Sequence, residues 1–258
     1  MATRSVGDFC WINMITPQPA AARAFFGALL GWTFVEMPGM GHGIQVDGHD
    51  VGGMFDLDGP NTPPGTPPCI GVMVKVDSAD ATSAKATALG GKGEPAFDIG
   101  DAGRMAVLYD PNGANIDVWE PKSMPGTDVD PGAIGAPSWF ETMTTDVERA
   151  RPFYSALFDW TPEAMPSSAG DYTAFKLDDG SYVGGLMAIP DALRGDGGLS
   201  PYWTTYFTVA DADATAARAV ELGGQCIVGP QDVPGVGRFA GLMSPQGVMF
   251  HVMAYPPR

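Results

Sequence analysis

The sequence predicts an α+β protein built as two tandem copies of one domain, each copy assembled from two β-α-β-β-β modules. Three observations predict it. The stretch "VDSADATSAKATALGG" (76–91) matches "VADADATAARAVELGG" (209–224) at 10 of 16 positions, an offset of 133, and "ARAFFGALLGWT" (22–33) matches "ARPFYSALFDWT" (150–161) at an offset of 128. The phrase "GRMAVLYDPNGANIDVWEP" (103–121) closes the first copy, and "GRFAGLMSPQGVMFHVMAY" (237–255) closes the second. Within each copy a strand-period stretch, an apolar-striped helix and several short strands recur in the same order.

Each element of the first copy has its own signal. "DFCWINMIT" alternates, with Trp11 and Asn13 on one face and Ile12 and Met14 on the other. A helix is expected from about Gln18 to Leu30, where Phe25, Phe26, Leu29 and Leu30 make an apolar stripe. "GIQVDGHDVGGMFDL" reads as short strands hinged at Asp47-Gly48. "CIGVMVKV" precedes a second helix, Ala79 to Leu89, which Gly90-Gly91 terminates. Two closing strands flank the Pro111-Asn112-Gly113 turn. In the second copy Pro152 falls inside the expected helix, where it costs a hydrogen bond. The stripe through Phe153, Leu157 and Phe158 keeps the helix. The Pro/Gly-rich run around 123–133 reads as a linker between domains 1–122 and 134–258.

Composition narrows the partners. Fourteen basic against 30 acidic side chains give a formal charge of −16, which disfavours nucleic acid and anionic membrane. Three cysteines, Cys10, Cys69 and Cys226, form no CxxC pair. A disulfide framework is therefore not expected, and a cytoplasmic setting is. The oligomeric state, monomer or dimer, is left open.

The helix end "FYxxLFxW", the second helix end "LGG" and the close "GRxAxxxDPxGAxxxxWEP" resemble the glyoxalase/bleomycin-resistance/extradiol-dioxygenase (vicinal oxygen chelate) superfamily. The chain is similar to its tandem, two-domain glyoxalase-like members, often labelled hydroxylases or antigens, and the resemblance covers nearly the whole length. It implies that paired modules form cupped mixed sheets, either between adjacent modules or between modules of different halves. It also implies lyases, isomerases, dioxygenases or ligand-sequestering proteins, since fold does not settle function.

Metal-dependent relatives place an ion in the cup. The resemblance carries their ligand positions to Trp11, Gly53 or Met54, Gly71 and Asp117 in the first copy. In the second they fall on Trp139, Gly185 or Leu186, Thr204 and His251. A divalent site needs three or more N or O ligands, and tryptophan offers only a donor. A metal-free pocket with no cofactor is therefore the expectation, and a divalent metal the minority reading.

Strand alternation proposes what lines the cups instead. Asn13, Asp117, Trp11 and Trp119 fall to the first, and Trp139, Glu141, Tyr202, Thr204, Tyr206 and His251 to the second. Aromatic walls with a few polar groups suit a flat, conjugated small molecule. Glu141 orienting His251 as acid or base is the catalytic candidate, against a structural histidine and core-plugging tryptophans. Arg104 and Arg238 are candidate clamps for an anionic ligand group, weighed against pairing with Asp98, Asp101 and Asp232 to hold their own loops. Three readings follow: a binder of a small aromatic or conjugated metabolite, a lyase-, isomerase- or hydroxylase-type enzyme on such a ligand, and a metal-dependent glyoxalase or dioxygenase.

Overall fold

The computed structural model describes residues 4–60, 62, 65–165, 171–194 and 198–256. Its first half runs β1 (Phe9–Thr16), α1 (Pro19–Leu30), β2 (Thr33–Met37), β3 (Gly41–Val46) and β4 (His49–Asp56). Then come β5 (Cys69–Lys75), α2 (Ala79–Ala88), β6 (Lys92–Gly93), β7 (Phe97–Ile99), β8 (Gly103–Tyr109) and β9 (Asn115–Pro121). The second half repeats the series. It comprises β10 (Pro137–Thr144), α3 (Val147–Phe158), β11 (Thr161–Met165), β12 (Tyr172–Lys176) and β13 (Tyr182–Ala188), then β14 (Tyr202–Thr208), α4 (Ala212–Glu221), β15 (Gln225–Val233), β16 (Gly237–Met243) and β17 (Met249–Ala254).

Local chemistry explains the boundaries. Asp47 and Gly48 both take positive φ (50° and 79°), the conformation of a two-residue hairpin turn between β3 and β4. Ser78, Asp146 and Asp211 cap α2, α3 and α4, each accepting a backbone N–H in the first turn. Helix α3 runs through Pro152. That residue has no N–H to offer Glu148, and the buried Phe153, Tyr154, Leu157 and Phe158 hold the helix on the core regardless.

Sheet order answers the pairing question the sequence left open. The strands run β2-β3-β4-β1-β5-β9-β8-β6, with β7 on β8, and β11-β12-β13-β10-β14-β17-β16-β15. Antiparallel β1·β5 and β10·β14 contacts join adjacent modules. Each half therefore closes its own sheet, and Asp117 and His251 face different cups.

The helix-bearing faces of the two sheets share one core. Phe9 stacks on Phe140 at 4.1 Å, and Trp32 meets Phe207 at 5.1 Å. The repeat also makes a reciprocal bond. Trp32 donates its indole N–H to the carbonyl of Gly135, and Trp160 donates to that of Gly7, both at 2.8 Å. Gly7 and Gly135 hold φ of 86° and 85° just ahead of the opposite half's first strand. One contact is not mirrored. Tyr154 donates to the buried Asp110 at 3.0 Å and accepts from Trp203 at 2.9 Å, where the first half carries Phe26 and the second turn Ser244.

Candidate functional site

Register fixes which residues meet on the face turned away from the helices. In the first half Asn13 lies level with Gly53 on β4 and Gly71 on β5, and Asp117 follows across β5 beside Met73. In the second half Glu141 lies level with Gly185 and Thr204, and His251 lies beside Tyr206. The first-strand position of each quartet is thus Asn13 or Glu141. The family resemblance had carried it two residues earlier on the same face, to Trp11 and Trp139, since a motif match does not fix the level of residues on neighbouring strands.

The second cup gathers aromatic rings around a carboxyl. Glu141 is 6 % exposed and accepts the Tyr206 hydroxyl at 3.1 Å. Tyr172 hydrogen-bonds it as well, and Trp139 donates its indole N–H to the Tyr172 hydroxyl at 2.8 Å. Burial raises the Glu141 pKa, while the two phenol hydrogen bonds pull the other way. Tyr172 reaches Glu141 because Gly185 has no side chain: a Cβ there would stand 1.8 Å from its hydroxyl.

His251 is placed differently from expectation. No hydrogen bond joins it to Glu141 among the described residues, since β14 separates their strands. Its Nδ1 bonds Thr204 at 2.9 Å, and its ring stacks on Tyr206 at 4.6 Å and 20°. Burial depresses its pKa to about 4, so the imidazole is neutral near pH 7. Tyr206 instead carries the connection, one face on the imidazole and its hydroxyl on the carboxyl. Tyr202 projects from β14 on the same face, its pKa pushed up to about 12 by burial and by the Glu141 charge.

The first cup is filled from within. Trp119 is buried with Cys10 and Met73, against Trp11, Met105 and Met124, and it donates to the Met124 carbonyl at 2.9 Å. Trp119 is accordingly a plug rather than a ligand-facing wall. Asp117 is 8 % exposed and accepts from Asn115 at 3.2 Å, with Asn13 bonded as well. Burial lifts its pKa to about 7. Trp11 and Trp139 also line a crevice of about 100 Å³ between the halves, beside Arg4 and Tyr182.

Arg104 and Arg238 are not brought to either cup. Arg104 makes a two-point contact with Asp80 at 2.8 and 3.1 Å and pairs with Asp98. Arg238 does the same with Asp213 at 2.5 and 2.9 Å and pairs with Asp232. Each guanidinium ties its loop to the first turn of α2 or α4, so their donors are spent on structure. The partner carboxylates on α2 and α4 lie one helix away in sequence, which is why proximity along the chain missed them.

The residues at the family's ion-binding positions differ between the two cups. No group of three or more His, Cys, Asp or Glu side chains converges among the described residues. The second quartet offers Glu141, Thr204 and His251, with the fourth place taken by the Tyr172 hydroxyl over Gly185. The first offers Asp117 with an amide and two glycines, and there the Phe55 ring lies 2.7 Å from where a Gly53 Cβ would stand. The other histidines are held elsewhere, His42 by Arg23 and His49 by Asp128.

Tyr172 and Phe239 are the site residues that sequence reasoning missed. Phe239 rings lie 6.1 Å from Tyr206 and 6.2 Å from His251. The signal for Tyr172 was the "VGG" pair on β13, since a glycine on a cup face leaves room for a ring from the neighbouring strand.

Comparison with known proteins agrees with the fold. Residues 137–252 match the family described as Glyoxalase/Bleomycin resistance protein/Dioxygenase superfamily. The chain is 37% identical over 255 residues to the glyoxylase-named protein CFP32 of Mycobacterium tuberculosis (strain CDC 1551 / Oshkosh), covering 96% of this chain and 95% of that one. It is 32% identical over 264 residues to the anthracycline biosynthesis protein DnrV of Streptomyces peucetius, covering 96% and 93%. Among solved structures, the Mn(II)-bound glyoxalase from Novosphingobium aromaticivorans shares the fold with a TM-score of 0.66 at 14% identity, over 96% of this chain and 82% of that one. A tandem pair of self-closed β-α-β-β-β sheets, matched end to end by such relatives, makes this chain a member of the glyoxalase/bleomycin resistance protein/dioxygenase superfamily.

Proposed function

We propose that the protein binds a small, planar, conjugated molecule on the concave face of its second sheet. The observation that carries this reading is the asymmetry between the cups. The first is closed by Trp119, Met73 and Met124 packed on one another. The second presents Trp139, Tyr172, Tyr202, Tyr206 and His251 around one buried carboxyl. Offset stacking on such rings contributes about 0.5–1.5 kcal/mol per pair beyond burial, and it selects flat ligands. The relative concerned with anthracycline biosynthesis supports a conjugated ligand class.

The test is calorimetric titration with 2-(hydroxymethyl)anthracene and 2-(hydroxymethyl)anthraquinone, two neutral planar tricycles. Binding of either at micromolar Kd, weakened about tenfold or more in Trp139→Ala, supports the reading. No heat and no tryptophan quenching with either would overturn it.

A second reading, turnover of the bound ligand, is favoured by one feature. A neutral imidazole and a buried carboxyl stand on either side of Tyr206. In that case His251 handles a proton of the ligand in a lyase-, isomerase- or hydroxylase-type step. His251→Ala would then abolish conversion of a ligand that it still binds within about tenfold.

A further inference from the structure

We propose that a cavity of about 640 Å³ between α3 and the ends of β11, β12 and β13 binds a small amphipathic carboxylate, its oxyanion held by Arg151 and Arg194.

The duplication supplies an internal reference for this cavity. "ARAFF" in α1 and "ARPFY" in α3 put Arg23 and Arg151 at equivalent places. Opposite them, His42 on β3 lies level with Met54, and Thr173 on β12 lies level with the matching Leu186. Thr173 therefore stands where the first half carries His42. Arginine can only donate, so His42 Nε2 accepts from Arg23 Nη1, at 2.5 Å. Arg151 has no such acceptor. Its Nη2 pairs with Glu148, and its Nε is buried without a hydrogen-bond partner among the described residues. Both Arg151 and Thr173 line the cavity. A buried N–H left unpaired is a standing cost, and a ligand oxygen there would supply what His42 supplies in the first half.

A second change points the same way. The segment 57–68, between β4 and β5, holds no lysine or arginine, whereas the segment after β13 brings Arg194 to the cavity. Its Nε donates to the Ile189 carbonyl at 2.5 Å and its Nη1 reaches Asp191 at 3.4 Å, leaving Nη2 without a described partner. Two guanidiniums with donors to spare on one cavity suit a carboxylate, which accepts several charge-assisted bonds at once. Three acidic residues also border it, but Asp146 caps α3 through the Arg149 N–H at 3.1 Å, Glu148 is paired with Arg151, and Asp171 is exposed. Val147, Ala164, Met165 and Ala188 give the cavity an apolar side, and its volume falls within the roughly 300–1,000 Å³ of small-molecule sites. An anionic head on an aliphatic body matches both walls.

Cyclohexanecarboxylate tests this, because it is charged at one end and, being non-planar, unsuited to stacking in the second cup. Calorimetric titration of the whole chain is expected to give a Kd below about 1 mM. Neutral cyclohexanecarboxamide and inorganic phosphate, which lacks the apolar body, should each bind at least tenfold more weakly. Arg151→Gln and Arg194→Gln should each weaken the carboxylate at least tenfold. Thr173→His, which restores the first half's arrangement, should fill the cavity and abolish binding; if that variant does not fold, the two arginine variants decide. No binding by wild type, equal binding of the carboxamide or phosphate, or undiminished binding in either arginine variant would overturn the proposal. None of these outcomes bears on the planar ligand of the second cup.

Discussion

Tyr206 lies with its ring stacked on His251 at 4.6 Å while its hydroxyl donates to Glu141 at 3.1 Å. One side chain therefore joins two polar groups that the order of strands keeps apart. Removing the hydroxyl separates these two roles. Tyr206→Phe should keep the stack, raise the Glu141 pKa further by deleting one of its two stabilising bonds, and cost about 1–3 kcal/mol of stability. Chemical denaturation with the carboxyl titration followed by NMR checks all three.

The contact between Gly185 and Tyr172 makes a second prediction. A Cβ at residue 185 would stand 1.8 Å from the Tyr172 hydroxyl and 2.5 Å from its Cζ. Gly185→Ala should destabilise by about 1–3 kcal/mol through overpacking. Adding Tyr172→Ala should cancel much of that increment, giving a coupling energy of opposite sign. A double-mutant cycle in urea measures it, and simple additivity would show that the ring does not fill the hollow.

Asp117 gives a pH signature. Its folded pKa is raised from 3.8 to about 7, so the folded state holds the proton more tightly than the unfolded chain. The protonated group's advantage is complete below pH 4 and is lost as pH rises to about 7, on the order of 4 kcal/mol at roughly 1.36 kcal/mol per unit. His251, depressed to about 4 from 6.5, acts in the opposite sense, losing stability as pH falls through that range. The two partly cancel in wild type. Asp117→Asn should expose the histidine term, with unfolding free energy rising more steeply between pH 4 and 7 than in wild type.

The shared core predicts a single unfolding transition. Trp32 and Trp160 each bond the opposite half, and Asp110 reaches Tyr154 and thereby Trp203 across the junction. Tyr154→Phe strands the Trp203 indole and removes a donor from a buried carboxylate, a loss of about 1–3 kcal/mol. Calorimetric and van't Hoff enthalpies should agree in both wild type and variant. Two separate transitions would show that the halves stand alone.

Much of this architecture was legible in the chain. The repeated phrases and the period-2 strands led directly to four modules, and the Asp47-Gly48 hairpin and the persistence of α3 through Pro152 followed from local signals. The site was read less fully. Alternation put Glu141, Tyr202, Thr204, Tyr206 and His251 on one face, but it carries no information about the level of residues on neighbouring strands. It therefore paired Glu141 with His251 across an intervening strand, while the family resemblance carried the first-strand position to Trp139, two residues from Glu141. Tyr172 escaped because its role depends on a glycine on the neighbouring strand, Gly185 of β13. Arg104 and Arg238 were weighed as ligand clamps against ties to nearby loop carboxylates. The pairs with Asp98 and Asp232 are present, while Asp80 and Asp213 were missed because they sit on helices that only the folded chain brings near.

The most direct test of a ligand-binding second cup is a crystal structure of the protein soaked with 2-(hydroxymethyl)anthraquinone. The account predicts the tricycle on the concave face of the second sheet, its rings against Tyr206, Tyr202 or Trp139. Finding it over Asp117 and Trp119 in the first cup, with the second bare, would contradict the account.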